Sequence, residues 1–186
     1  MATLDKILPF TKYLLGKCIA PGDLVVDGTC GNGNDTLYLA DLVGEEGRVV
    51  AFDVQQEAIN ATKKRLEELQ INNVTLILDG HENVLNYISQ EMSAAIFNLG
   101  YLPGSDKTVT TNGETTWKAV IGMLSLLKVG GIIVLVIYHG HEAGKVERDD
   151  IEEKIRTLCP GSTSVLKYEF LNRENAPYVV AIERVK

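Results

Sequence analysis

"VVDGTCGNGNDT", Val25 to Thr36, is the stretch that decides the fold. Two valines and an acid read as the end of a buried strand. Gly28, Gly31 and Gly33 then make a loop, and a helix opens near Asp35. A strand passing through a glycine-rich loop into a helix is the first unit of a nucleotide-type α/β fold. The spacing Gly28-x-x-Gly31-x-Gly33 matches neither the G-x-G-x-x-G of dinucleotide folds nor a P-loop with its Lys-Ser/Thr ending. The ligand class, whether dinucleotide, nucleoside triphosphate or S-adenosylmethionine, must therefore be read from side chains.

Working outward, apolar runs predict strands at Leu24–Asp27, Arg48–Asp53, Val74–Leu78, Ala94–Phe97 and Ile132–Ile137. Between them, helical periodicity predicts helices from about Pro9 to just before "APGD", then Asp35–Val43, Gln55–Gln70, Glu82–Gln90, Glu114–Leu127 and Lys145–Cys159. Continuous apolar strands alternating with helices describe a parallel sheet covered on both faces. The end of the chain differs. Strands at Ser164–Leu171 and Tyr178–Glu183 are joined by "NRENAP", too short for a crossover helix, so they must pair antiparallel. The expected fold is α/β: a doubly wound, mostly parallel, seven-stranded Rossmann-like sheet with a C-terminal antiparallel hairpin, the usual layout of class I methyltransferases. With no repeat, linker or low-complexity tract, residues 1–186 are expected to form one domain.

Composition narrows the function classes. Of 186 residues, 45% are hydrophobic and 23% charged, a globular rather than a disordered profile. A net charge of −7 argues against broad nonspecific nucleic-acid binding, which needs many phosphate contacts. Cys18, Cys30 and Cys159 form no C-x-x-C pair, so no zinc ribbon or redox couple is expected, and a reducing cytoplasm fits. "MATLDKILPF" lacks the pattern of a signal peptide, and the longest apolar run, Ile132 to Tyr138, is far too short to span a membrane.

In such a sheet the ligand lies beyond the carboxyl ends of the strands. After strand one, the glycines let backbone approach a ligand, but Asp27 and Asp35 bracket the loop and would repel a pyrophosphate. Two carboxylates suit an ammonium or sulfonium, and S-adenosylmethionine carries both. Asp53, after strand two, is placed to accept ribose hydroxyls. Asp79, after strand three, is placed to accept from an adenine amino group, with backbone at Gly80–His81 near the ring edge. After strand four, "FNLGYLPG" keeps the Asn and Tyr of the Asn-Pro-Pro-Tyr motif of amino-group methyltransferases as Asn98 and Tyr101, without the prolines. An amide oxygen can hold the N–H bonds of an attacking amine in line with a methyl group, and an aromatic face can sit against the cationic centre. After strand five, His139 in "YHGHEAG" is a candidate proton acceptor. His81, His139 and His141 lack carboxylate partners at ligand spacing, so no metal is expected. Arg173 reads equally as a phosphate contact or a solvated loop residue, and "KKR" at 63–65 as a solvated helix face.

Taken in order, "DGTCGNGNDT", "AFDVQ", "DGHENV", "NLGYLPG" and "YHGH" resemble the small bacterial family labelled "putative rRNA methylases", over nearly the whole chain from about Pro21 to Arg184. The characterised members of that family methylate the 5-aminomethyl group of wobble 2-thiouridine in tRNA. The resemblance implies S-adenosylmethionine as donor, the tRNA anticodon region as acceptor, and a homodimer. It also implies that Asp27, Gly31, Asn32, Gly33, Asn34 and Asp35 hold the methionine part, Asp53 and Gln55 the ribose, and Asp79 and His81 the adenine, with Asn98, Tyr101 and His139 lining the acceptor. The rival readings are a small-metabolite or rRNA methyltransferase, a catalytically silent RNA-binding module and, remotely, an NAD-dependent oxidoreductase.

Overall fold

A computed structural model describes residues 3–100, 111–140 and 142–186. Its sheet has seven strands: β1 (Leu24–Asp27), β2 (Arg48–Asp53), β3 (Val74–Leu78), β4 (Met92–Leu99), β5 (Leu127–Ile137), β6 (Thr163–Tyr168) and β7 (Tyr178–Arg184). They lie in the order β3-β2-β1-β4-β5-β7-β6. The first five are mutually parallel, while β7 runs antiparallel to both β5 and β6. This is the doubly wound sheet with the closing hairpin that the sequence predicts. Because β6 runs with β1–β5, the loop after it opens on the same edge of the sheet as theirs.

The helices are α1 (Ile7–Cys18), α2 (Asn34–Val43), α3 (Gln56–Glu68), α4 (Gly113–Leu126) and α5 (Glu142–Ile155). Period-two alternation along each strand splits the core in two. Val26 of β1, with Ala95, Phe97 and Leu99 of β4, faces α4 and α5. Val25, with Ala94 and Ile96, faces the layer built from α1, α2 and α3. The helix faces answer this pattern: Leu39, Ala40 and Val43 of α2, and Ala58, Ile59 and Leu66 of α3, are buried. No helix among the described residues is long and apolar enough to cross a membrane.

The bounds of β4, α5 and β6 shift by up to four residues, and two elements differ in kind from the sequence reading. The helix expected at Glu82–Gln90 is a 3₁₀ helix covering only His81–Asn86. It is pinned by contacts distant in sequence, His81 to the carbonyl of Gly28 and the Tyr87 hydroxyl to Asp79, so it cannot extend. In addition, "KVGG" belongs to β5 rather than to a helix end. Leu127 pairs with Met92, the next pair is Ala94 with Ile132, and the intervening residues bulge out. Gly130 takes φ +80° there, a conformation that costs other residues strain.

Candidate active site

The parallel strands bring five loops to one edge of the sheet, where they surround an open cleft of about 1970 Å³. Its floor is the stretch after β1. Gly28 turns under the ring of Phe97 so closely that a Cβ there would lie 2.3 Å from Phe97 Cε1. Gly31 and Gly33 take φ +51° and +77°, and a Cβ on Gly33 would meet the Thr62 hydroxyl at 2.8 Å. Cross-links then fix the loop. The Cys30 N–H donates to the Phe52 carbonyl at 2.8 Å, the Gly31 N–H to Asp53 Oδ2 at 2.9 Å, and the Thr62 hydroxyl to the Gly31 carbonyl at 2.9 Å. Gly33 caps α2 with no side-chain hydrogen bond over the helix N-terminus, so the positive end of that dipole faces the cleft.

Asp27 does not line the cleft. It is fully buried beneath the loop, where Oδ2 accepts from the Thr36 hydroxyl at 2.7 Å and Oδ1 from the Thr29 N–H at 3.1 Å. Burial pushes its carboxyl up to about 7; Thr36 opposes this, and the nearby carboxylates of Asp35 and Asp53 add to it. Its place is behind the loop, holding β1 to α2. Gly33 likewise shapes the loop from behind.

The other donor-side candidates do converge. Gly31, Asn32, Asn34 and Asp35 line one wall, and Asp53 with Gln55 lines the next. Asp53 Oδ1 also accepts from the Gln55 N–H at 3.0 Å, so this carboxylate ties the loops after β1 and β2 together. Beyond them, Asp79 and His81 line the cleft. Asp79 accepts from the Tyr87 hydroxyl at 2.8 Å, Asn83 Nδ2 at 2.9 Å and the Gly80 N–H at 2.7 Å, and these bonds, Tyr87 first, hold its carboxyl below the usual range. His81 Nδ1 lies 3.0 Å from the Gly28 carbonyl, which makes it the protonated nitrogen. Nε2 is left as a buried acceptor without a partner among the described residues, and burial lowers the ring's affinity for a second proton.

Asn98, at the end of β4, joins the two sides. Its N–H donates to the Thr29 hydroxyl at 2.7 Å, and its Nδ2 donates to Asp35 Oδ2 at 2.8 Å. A carboxylate only accepts, so this bond fixes which way the amide faces and turns Oδ1 away from Asp35. Tyr101 and His141 lie outside the described residues. His139 stands apart from the cleft: Tyr138 and Gly140 line it, and the ring between them packs edge-on against Tyr178 at 5.5 Å. Arg173 stacks on Phe170 at 4.4 Å and does not line the cleft.

Sequence reasoning missed several lining residues, among them Lys12 of α1, Asn175 after β6, Arg65 and Tyr138. Arg65 reaches back from α3 to donate to Asn34 Oδ1 at 2.8 Å and to the Asn32 carbonyl. Its signal was its position three residues after Thr62, on the face of α3 that touches the loop; Lys63 and Lys64 do pair outward with Glu67 and Glu68. Tyr138 follows β5, and its phenol is pushed up by burial and then by Asp35.

A doubly wound sheet of this strand order, with an acidic cleft, a bare helix N-terminus and a ribose-type acid after β2, defines a class I S-adenosylmethionine-dependent methyltransferase. Comparison with known proteins agrees. The family profile "Putative rRNA methylase" matches residues 49–183. A structure of a putative rRNA methylase from Clostridium thermocellum is 42% identical with a TM-score of 0.96, over 98% of this chain and 100% of that one. A Streptococcus mutans methyltransferase, solved in complex with SAH, the product of S-adenosylmethionine, is 35% identical with a TM-score of 0.91, over 98% and 99% of the two chains. A chloroplastic tRNA (mnm5s2U34) methyltransferase from Arabidopsis thaliana is 36% identical over 87% of this chain, which spans 63% of that relative's length. The chain belongs to the rRNA methylase family so described.

Proposed function

We propose that this protein transfers a methyl group from S-adenosylmethionine to the nitrogen of the 5-aminomethyl group of wobble 2-thiouridine in tRNA. The observation that carries the reading is the Asn98 amide held by Asp35 at 2.8 Å. It leaves a carbonyl oxygen aimed to accept an N–H of the attacking amine, so that the nitrogen lone pair points at the methyl group. The similarity to the Arabidopsis tRNA methyltransferase supports the choice of acceptor.

The lining residues fit the cofactor. The bare N-terminus of α2 suits its carboxylate, Asp35 its ammonium, and Asp53 with Gln55 the ribose hydroxyls. Asp79 is an acceptor for the adenine edge, and His81 lines the wall beside it. When bound, the cofactor supplies an electrophilic methyl group on sulfur. This chain's residues do the rest: Asn98 orients the amine and Asp35 fixes Asn98. The amine must arrive neutral, and its remaining proton leaves to solvent. Tyr138 stays a phenol and His139 faces elsewhere, so neither serves as the base. The reading includes a homodimer in the cytoplasm.

Mass analysis of tRNA nucleosides from a deletion strain tests the proposal. Accumulation of 5-aminomethyl-2-thiouridine is the expected result. An unchanged nucleoside profile would refute it and favour a small-metabolite acceptor.

A further inference from the structure

We infer that Glu147 is a positioning residue for the acceptor side of the cleft, acting through the hydroxyl of Thr111 on the chain that follows Asn98. The inference rests on the reading that this wall receives the amine. Glu147 lies on α5 and is 4% exposed. Its Oε2 accepts from the Thr111 hydroxyl at 2.6 Å and its Oε1 from the Thr116 hydroxyl at 3.1 Å. The Thr111 hydroxyl in turn accepts from the Gly100 N–H at 2.8 Å, and the Thr111 N–H donates to the Gly100 carbonyl at 3.0 Å. Residues 100 and 111 are thereby clasped to one another, and the clasp is anchored on a buried carboxylate.

The placement makes the clasp more than helix packing. Gly100 is two residues beyond Asn98, and Gly100, Thr111, Asn112 and Thr115 all line the cleft, whereas Glu147 does not. Asn112 also caps α4, its Oδ1 accepting from the Glu114 N–H at 2.8 Å. One carboxylate therefore ties residue 100, at the end of β4, to residue 111, just before α4. Burying it is costly: burial pushes the Glu147 carboxyl up, and only the two hydroxyl bonds oppose that. A pair of α4–α5 apolar side chains would hold the helices together without that cost. What they would not provide is a directional acceptor for Thr111.

The test compares wild type, Glu147→Gln, Thr111→Val and the double variant, with tRNA from the deletion strain as methyl acceptor. Calorimetry with S-adenosylmethionine and thermal unfolding accompany the kinetics. Breaking the clasp is expected to raise KM for tRNA about ten-fold, the effect of one charge-assisted hydrogen bond, with cofactor affinity unchanged. Because the two groups share one bond, the double variant should lose clearly less than the product of the two single effects. Thr111→Val keeps the test decisive should Glu147→Gln fail to fold. Wild-type kinetics in both singles, multiplying effects in the double, or an equal loss of cofactor affinity would each overturn the inference. Absence of transfer by the wild-type protein would instead overturn the underlying reading, and the inference with it.

Discussion

Replacing Asn98 by Asp exchanges an NH2 group for an oxygen and sets two carboxylates where an amide now donates to Asp35 at 2.8 Å. At that separation two unit charges repel by about 6 kcal/mol at an effective dielectric near 20, and by about 1.5 kcal/mol if the cleft behaves as water. Such a pair does not stay doubly ionised; it takes up a proton. The repulsion corresponds to an upward shift of roughly 1 to 4 pH units for one macroscopic step of the pair. When that proton is present, the new carboxyl can donate to Asp35 and offer its carbonyl oxygen to the amine, much as the amide does. When it leaves, the donor is lost and the acceptor wall gains charge. The Asn98→Asp variant should therefore approach wild-type turnover at low pH and fall away from it as pH rises. The assay is single-turnover methyl transfer at saturating S-adenosylmethionine between about pH 5 and 9, read as the ratio of variant to wild type, which cancels titration of the substrate amine. Asn98→Ala serves as control, with a large but pH-independent loss. A flat ratio for Asn98→Asp would show that the Asp35 bond does not orient the acceptor group.

Asp27→Asn should stabilise the protein at high pH. The folded-state carboxyl is raised from 3.8 to about 7, so its contribution is fully present below pH 4 and is lost as pH rises towards 7, by up to roughly 4 kcal/mol. Denaturant unfolding of wild type and variant across that window should show the difference opening in the variant's favour, and parallel curves would contradict the burial argument. Arg65→Ala should weaken S-adenosylmethionine binding by about three- to ten-fold while leaving turnover at saturation unchanged, because Arg65 braces the Asn32–Asn34 loop from an exposed position. Calorimetry measures the first effect and steady-state kinetics the second.

The bounds of β1, β2 and β3 were legible because each is a continuous apolar run closed by a polar turn. β4 runs further than its apolar centre because Met92, Asn98 and Leu99 pair in the ladder with β5, and pairing rather than polarity decides where a strand ends. The short 3₁₀ helix was misjudged for a related reason: its local pattern is helical, but bonds from Gly28 and Asp79 stop it. Asp27 could be seen at a strand tip, yet whether such an acid faces a ligand or tucks under the loop depends on Thr36, nine residues away. His139 was singled out by its chemistry alone, and Tyr138 was not considered. The alternation of side chains past the end of β5 is what sends Tyr138 into the cleft and the histidine towards Tyr178.

On the proposed function the acceptor is a polyanion, and an acidic cleft must admit part of it. Asp35, Asp53 and Asp79 each accept from neutral donors, and Lys12 and Arg65, the two cations lining the cleft among the described residues, make none of these bonds. A nucleic-acid backbone is held off such a wall, while a single extruded nucleoside bearing an aminomethyl group is attracted to it. The unstacking that extrusion requires costs least in a single-stranded loop. The same wall favours the ammonium form of that group, which cannot attack a methyl carbon. A sulfonium held in the donor site would oppose the ammonium and return its proton affinity towards that of the free amine. On the proposed function donor and acceptor are thus electrostatically coupled, and the Asp35–Asn98 bond is where their two sites share a residue pair.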